Sequence, residues 1–188
     1  MATTTSIHDS AGDAHASLSP PAFDSRGFTL IELLATMAVL VILSTIAATQ
    51  LSSTVSNNRA FTAQIELVAS LALARSEAVR RGVPVVLSAT TPVAGNTFGG
   101  GWSVWVDQNA NGTFDTGETI LRAHESLPAS AVIISASGNT ISYGTMGFLT
   151  TAGTVNMKVC PISYANKGYG ITIQPNGLSD VNPAATCP

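Results

Sequence analysis

From Leu33 to Leu51 the chain runs for nineteen residues without a charged side chain, with Ser, Thr and Gln as its polar residues. At about 1.5 Å per residue a helix of that length covers the roughly 30 Å of a hydrocarbon layer. The run therefore reads as a membrane-spanning helix, and the rest of the chain must be something that such a helix can carry. Glu32 stands at its entrance. A carboxylate drawn into a bilayer costs about 3 kcal/mol on insertion scales and needs a cationic partner. A second reading, a cleaved secretory signal ending near Thr45-Ile46-Ala47 or Ala47-Ala48-Thr49, is open on residue type. The run is long for a signal core, however, and a signal has no use for Glu32.

The residues ahead of the run, Arg26-Gly27-Phe28-Thr29-Leu30-Ile31-Glu32, resemble the processing site of type IV prepilins and type II secretion pseudopilins. The resemblance implies cleavage after Gly27 by a prepilin peptidase, N-methylation of Phe28, and Glu32 as the fifth residue of the mature chain. It also implies that the freed amine of Phe28 in one subunit partners Glu32 of its neighbour, so that the buried charge sets axial register in a filament.

Residues 1–25 are rich in Ala, Ser, Thr and Pro and too polar to bury a face, which reads as a disordered leader. His8 and His15 fall there without a second metal-type residue at helical spacing and read as solvated. The chain holds 8 basic and 11 acidic residues, for a net charge of −3. Removing residues 1–27 leaves seven basic and eight acidic, a net −1 with no polyanion-binding balance.

No Pro or Gly interrupts the chain between Phe28 and Arg81, so one helix of 54 residues is permitted. That is roughly 80 Å of helix. Its second half is amphipathic: Phe61, Ile65, Val68, Ala72 and Val79 form the stripe expected to lie on a globular domain, with Leu67, Leu71, Ala74 and Ala78 as a neighbouring apolar row. Arg75, Arg80 and Arg81 fall in the last turns, where positive charge suits the helix dipole. They read as a solvated helix end, with a partner-binding patch as the other reading. Gly82-Val83-Pro84 ends the helix.

Beyond Pro84 the period becomes alternating. Strands are expected over Val85–Ala89, Trp102–Asp107, Thr119–His124, Ala131–Ser135, Thr140–Tyr143, Thr154–Cys160 and Gly170–Gln174, as a meander or two small sheets packed on the helix. Trp102, Val104 and Val106 share the expected core face. Trp105 lies on the other face, as a packing residue or else a contact surface. The fold class is thus α+β, a long N-terminal helix with a transmembrane and an amphipathic half on an antiparallel β-domain. The expected divisions are 1–27 leader, 28–51 membrane part, 52–82 periplasmic helix and 83–188 β-domain.

Ala74-Arg75-Ser76-Glu77-Ala78, Gly101-Trp102 and the stretch from Val106-Asp107-Gln108-Asn109-Ala110-Asn111-Gly112 through Gly117-Glu118 to Leu121-Arg122 resemble the GspH/FimT family of pseudopilins and minor pilins. This implies a pilin-like protein of the bacterial inner membrane with a periplasmic domain, incorporated in low copy near the tip of a pilus or pseudopilus. Its partners would be prepilin peptidase, other minor pilins or pseudopilins and the major pilin. The residues leave a type IV pilus and a type II secretion system both open. A third role implied for some relatives, DNA uptake through a basic C-terminal motif, meets Pro175-Asn176-Gly177-Leu178-Ser179-Asp180 here, with no Lys or Arg after Lys167. A tail without cations argues against binding DNA.

Asp107, Asn109, Asn111, Asp115 and Glu118, with Gly112 at the sixth position, match the spacing of an oxygen-rich calcium loop. The flanks are strands and Asn111-Gly112 is a hairpin signal, so a metal-free hairpin is the first expectation and Ca2+ the second. No other cofactor is expected. Cys160 and Cys187 are the two cysteines. In the oxidising compartment implied by the resemblance they are expected to form a disulfide, whose reduction would disorder the tail. No catalytic constellation accompanies His124, which reads as an exposed hairpin residue, and Gly99-Gly100-Gly101 precedes a strand as a turn. The chain does not read as an enzyme.

Overall fold

The computed structural model describes residues 27–129, 131–162 and 167–187, and within α1 the side chains of residues 46–50 are outside the description. The expectations for the leader, with His8 and His15, also fall outside it. Helix α1 covers Leu30–Arg81. It stops where expected, with the Gly82 N–H donating to the Ala78 carbonyl at 3.0 Å. The chain divides into two units, Met1–Val41 and Ile42–Pro188, with the boundary between Val41 and Ile42.

In the first unit Leu33, Leu34, Met37, Val39 and Leu40 are all exposed. The Thr36 hydroxyl donates to the Leu33 carbonyl at 2.9 Å, so this polar group is satisfied by the helix itself. Among the described residues no helix is long and apolar enough to cross a membrane. Residues 46–50, inside the charge-free run, are not among those described by side chain.

The second unit carries eight strands: β1 (Val85–Ala89), β2 (Trp102–Val106), β3 (Ile120–His124), β4 (Ala131–Ser135), β5 (Thr140–Tyr143), β6 (Val155–Pro161), β7 (Gly168–Ile173) and β8 (Ser179–Ala185). They form two four-stranded sheets, ordered β3-β2-β1-β5 and β4-β6-β7-β8. All the pairings are antiparallel. Each sheet is a three-stranded meander plus one strand from the middle of the chain. The arrangement is the two-sheet alternative and not a single meander, because β4 pairs with β6 while β5 returns to β1.

One core joins α1 to both sheets. The helix buries Ala60, Ala63, Leu67, Leu71, Ala74 and Ala78, at spacings of three and four. Of the wide apolar arc expected here, the row Leu67, Leu71, Ala74 and Ala78 is the buried part, while Phe61, Ile65, Ala72 and Val79 are exposed and Val68 is half-buried. The reason is steric. Trp102, Tyr143, Phe98 and Met157 fill the interior from the sheets and their loops, and a close-packed interior leaves room for a helix face built of Ala and Leu rather than Phe and Ile. Trp102, Val104 and Val106 face this core as expected, and Trp105 is 1% exposed on the opposite face.

Strand β8 was not expected from sequence, because Asp180, Asn182 and Pro183 all count against a strand. It lies at the edge of its sheet, where a proline costs no ladder bond. Its ladder with β7 runs from Ile173↔Ser179 to Gly168↔Ala185, so the tail is held by pairing as well as by its cysteine.

Candidate functional site

The processing-site residues surround the start of α1. Thr29 is the N-cap: its hydroxyl accepts the Glu32 N–H at 3.3 Å, and its carbonyl accepts the Leu33 N–H at 3.2 Å. A threonine followed three residues later by a glutamate is the pattern of a capping box. Glu32 thus sits in the first turn, where the exposed amides favour a negative charge. Phe28, just outside the helix, is 82% exposed. A Cβ on Gly27 would meet nothing within 4 Å, so nothing in the described chain's own packing requires glycine there.

The five loop residues matched to a calcium pattern are brought together, but as donors and acceptors for one another. The Asp107 carboxylate accepts the N–H groups of Asn111 at 3.1 Å and Gly112 at 2.8 Å. The amides of Asn109 and Asn111 both donate to Asp115 Oδ2, at 2.8 and 2.7 Å. These bonds, Asn109 first, hold the Asp115 carboxyl below its ordinary value. Glu118 closes the loop by accepting the N–H groups of Gln108 at 3.0 Å and Asp115 at 2.9 Å. Among the described residues no group of three or more His, Cys, Asp or Glu side chains is placed to hold a metal ion. The Asn109 and Asn111 oxygens also accept the backbone N–H groups of Asn111 and Thr113. The arrangement has a visible mechanical result, since the loop returns Phe114 edge-on to Trp105, with ring centroids 5.4 Å apart. Trp105, which also donates to Ser88 Oγ at 2.9 Å, is thus a packing residue.

Cys160 and Cys187 are joined as a disulfide, with Cα atoms 5.9 Å apart. Gly168 makes room for it: a Cβ there would stand 2.4 Å from Cys187 Sγ and 2.5 Å from the Val159 carbonyl oxygen.

The three C-terminal arginines of α1 divide into two roles. Arg80 Nη2 and Arg81 Nε lie 2.5 and 2.6 Å from Glu77 Oε2, and these hydrogen bonds, Arg80 first, hold the Glu77 carboxyl at about 2. Arg75 is neither a solvated end nor a patch. Its Nε donates to the Gly147 carbonyl at 3.1 Å and its Nη2 to the Asn176 carbonyl at 3.2 Å, clamping the β5–β6 loop and the β7–β8 turn onto the helix. The turn therefore has Arg75 engaged beneath it, and it is the same stretch that would carry a basic motif in a DNA binder. Gly177 permits the approach, since a Cβ there would meet the Gly147 oxygen at 2.0 Å. Sequence reasoning missed the clamp. The available signal was phase: Arg75 follows Leu71 and Ala74 on the border of the buried arc, while Arg80 lies off it.

His124 corrects another expectation. Its ring stacks on Trp102 at 3.9 Å and its Nε2 lies 2.5 Å from Glu66 Oε2, so it is a half-buried bridge from β3 to α1 instead of an exposed hairpin residue.

Compared with known proteins, residues 63–177 match the family described as type II transport protein GspH. Residues 23–48 match the prokaryotic N-terminal methylation motif. No curated protein matches the chain. Among solved structures, a crystal form of the type IV minor pilin FimU of Pseudomonas aeruginosa aligns with a TM-score of 0.56 at 23% identity, covering 68% of this chain and 90% of that one. The minor pseudopilin EpsH of the Vibrio cholerae type 2 secretion system aligns with a TM-score of 0.50 at 13% identity, covering 66% and 97%. At these identities the likeness is one of fold.

Proposed function

The chain belongs to the GspH family of type II transport proteins, and from that premise we infer that it is a non-enzymatic minor pilin that joins a type IV pilus near its tip and helps to prime assembly. The observation that carries this is the continuity of α1: Gly27-Phe28 stands just ahead of it, Glu32 lies in its first turn, and the same helix runs into the core of the β-domain. Prepilin peptidase would cut after Gly27, a position where the fold itself has no need of glycine. Methylation would follow on Phe28. The charge-free run would hold the subunit in the inner membrane with its β-domain in the periplasm until assembly, and Glu32 would take the amine of a neighbouring subunit's first residue as its partner.

The deciding experiment compares pilin sheared from the cell surface in a strain deleted for this gene with that of the parent. Loss of surface pili, restored by the wild-type gene but not by Glu32→Ala, supports the pilus role. Normal pili with impaired export of secreted enzymes would move the protein to a type II secretion pseudopilus, the second reading, which the family description and the EpsH fold favour. DNA uptake is the third and weakest, because the β7–β8 turn has no cation of its own and β8 opens with Ser179-Asp180. Processing has a separate test. N-terminal sequencing of membrane-extracted protein should begin at methylated Phe28, and an intact leader on the mature protein would refute cleavage.

A further inference from the structure

Glu66 and His124 are 58 residues apart in sequence and meet between α1 and the end of β3. His124 Nε2 is 2.5 Å from Glu66 Oε2, while Nδ1 is 2.6 Å from the carbonyl oxygen of Glu125. Both ring nitrogens therefore face oxygen acceptors. A neutral imidazole has one N–H and one lone pair, so it can serve one of these oxygens only; the imidazolium, with two N–H groups, serves both. The ring also lies flat on the Trp102 indole, 3.9 Å away with the planes 6° apart, where the π face favours a cation. Trp102 is itself tied to the helix, its Nε1 donating to Ser70 Oγ at 3.0 Å, and that hydroxyl donates to the Glu66 carbonyl at 2.8 Å. Helix, indole, imidazole and carboxylate form one closed clasp.

The geometry points to a proton-operated clasp, in which the His124 imidazolium locks α1 to β3 and its deprotonation releases either Glu66 or the Glu125 carbonyl. Among the described residues the charged groups around it are few. From α1 they are Glu66 and Arg59, which border a cleft of about 320 Å³ beside the ring. From β3 comes Arg122, which lines a second cleft of about 260 Å³ with Glu66 and Ser70. Glu125 follows β3 directly. The two arginines oppose a charge on the ring and the two carboxylates favour it; the carboxylate in direct contact is Glu66. The sign follows: the clasp is fully closed where the carboxylate is ionised and the imidazole protonated, and it loses one of its two bonds when the ring gives up its proton. With the β-domain in the periplasm, the placement proposed above on which this role rests, such a device would let the protein respond to the pH there by weakening the tie between helix and sheet.

The test uses the full chain in detergent. Between pH 6 and pH 8 the wild-type melting temperature should fall by about 3 °C, the size expected for loss of one such contact in a domain of this length. His124→Gln and Glu66→Gln should each flatten that difference. Nitrogen-15 spectra of the imidazoles provide a readout that does not depend on the variants folding. At pH 6 the signal absent from His124→Gln should show two ring N–H groups, and at pH 8 one. A wild-type fall matched in parallel by His124→Gln, or a His124 ring with a single N–H at pH 6, would overturn the proposal.

Discussion

Arg75 shows how much of this fold can hang on one side chain. It reaches two carbonyls that belong to different sheets' connections, and charge-assisted hydrogen bonds of this kind are each worth about 1.5–3 kcal/mol when removed. Arg75→Ala is expected to lower stability by about 3 kcal/mol in a urea melt, the low end for two such bonds because the one to Asn176 is exposed, and Arg75→Lys to recover little, because one ammonium cannot replace the guanidinium fork. Nearby Tyr143 is 0% exposed and its hydroxyl has no hydrogen-bond partner among the described residues. An orphaned buried hydroxyl costs stability, so Tyr143→Phe is expected to leave the melting temperature unchanged or raise it. Burial, opposed by the positive charge of Arg75, pushes the phenol up to about 12. Because the folded state holds that proton longer than the unfolded chain, whose tyrosines ionise near 10, stability from this group is intact below about pH 10 and lost as pH rises from there to about 12. Tyr143→Phe should remove that alkaline component, and a tyrosinate absorbance titration follows it directly.

At the scale of elements, the alternating runs made β1, β2, β4 and β5 legible with their bounds nearly unchanged, since period-2 patterning against a shared core leaves little choice of face. The helix face was legible in part, through the row Leu67, Leu71, Ala74 and Ala78, and β8 was not legible. Bulk in Phe61 and Ile65 suggested an inward stripe, yet the helix side of an interface filled by Trp102 and Tyr143 must be thin, and nothing local to residues 55–80 states that. Edge placement likewise excuses Pro183 in a way only the neighbouring strand reveals. With β8 paired along its length, reducing the disulfide should cost about 3 kcal/mol through the freed 27-residue loop while β7 and β8 amides stay protected in hydrogen exchange. Complete loss of β8 protection on reduction would show that the ladder does not hold the tail by itself. The 107–118 loop is already closed by its own hydrogen bonds, so millimolar Ca2+ is expected to leave the melt unchanged. Phe114→Ala, which uncovers Trp105, should lower stability by about 1 kcal/mol and shift tryptophan emission.

For the whole molecule, the informative part of the sequence was the stretch around Gly27-Phe28, because the N-terminal methylation motif matched at residues 23–48 is carried by contiguous residues. The Cys160–Cys187 pairing was also within reach, two cysteines having one partner each. The contacts of Arg75 and His124 were not, since both depend on loops 50 or more residues away being folded against α1. The buried helix residues begin at Ser56 and Ala60, so a chain starting at residue 52 should fold and stay in solution without detergent, with circular dichroism showing a cooperative melt. The disulfide next to β8 has a consequence under load. Pulling on the last residues would normally peel an edge strand one hydrogen-bonded pair at a time, but here the force passes through a covalent link into β6, an inner strand paired on both sides. Tension on the C-terminus is thereby shared across the sheet, and unzipping from that end requires breaking a bond or shearing several ladders at once.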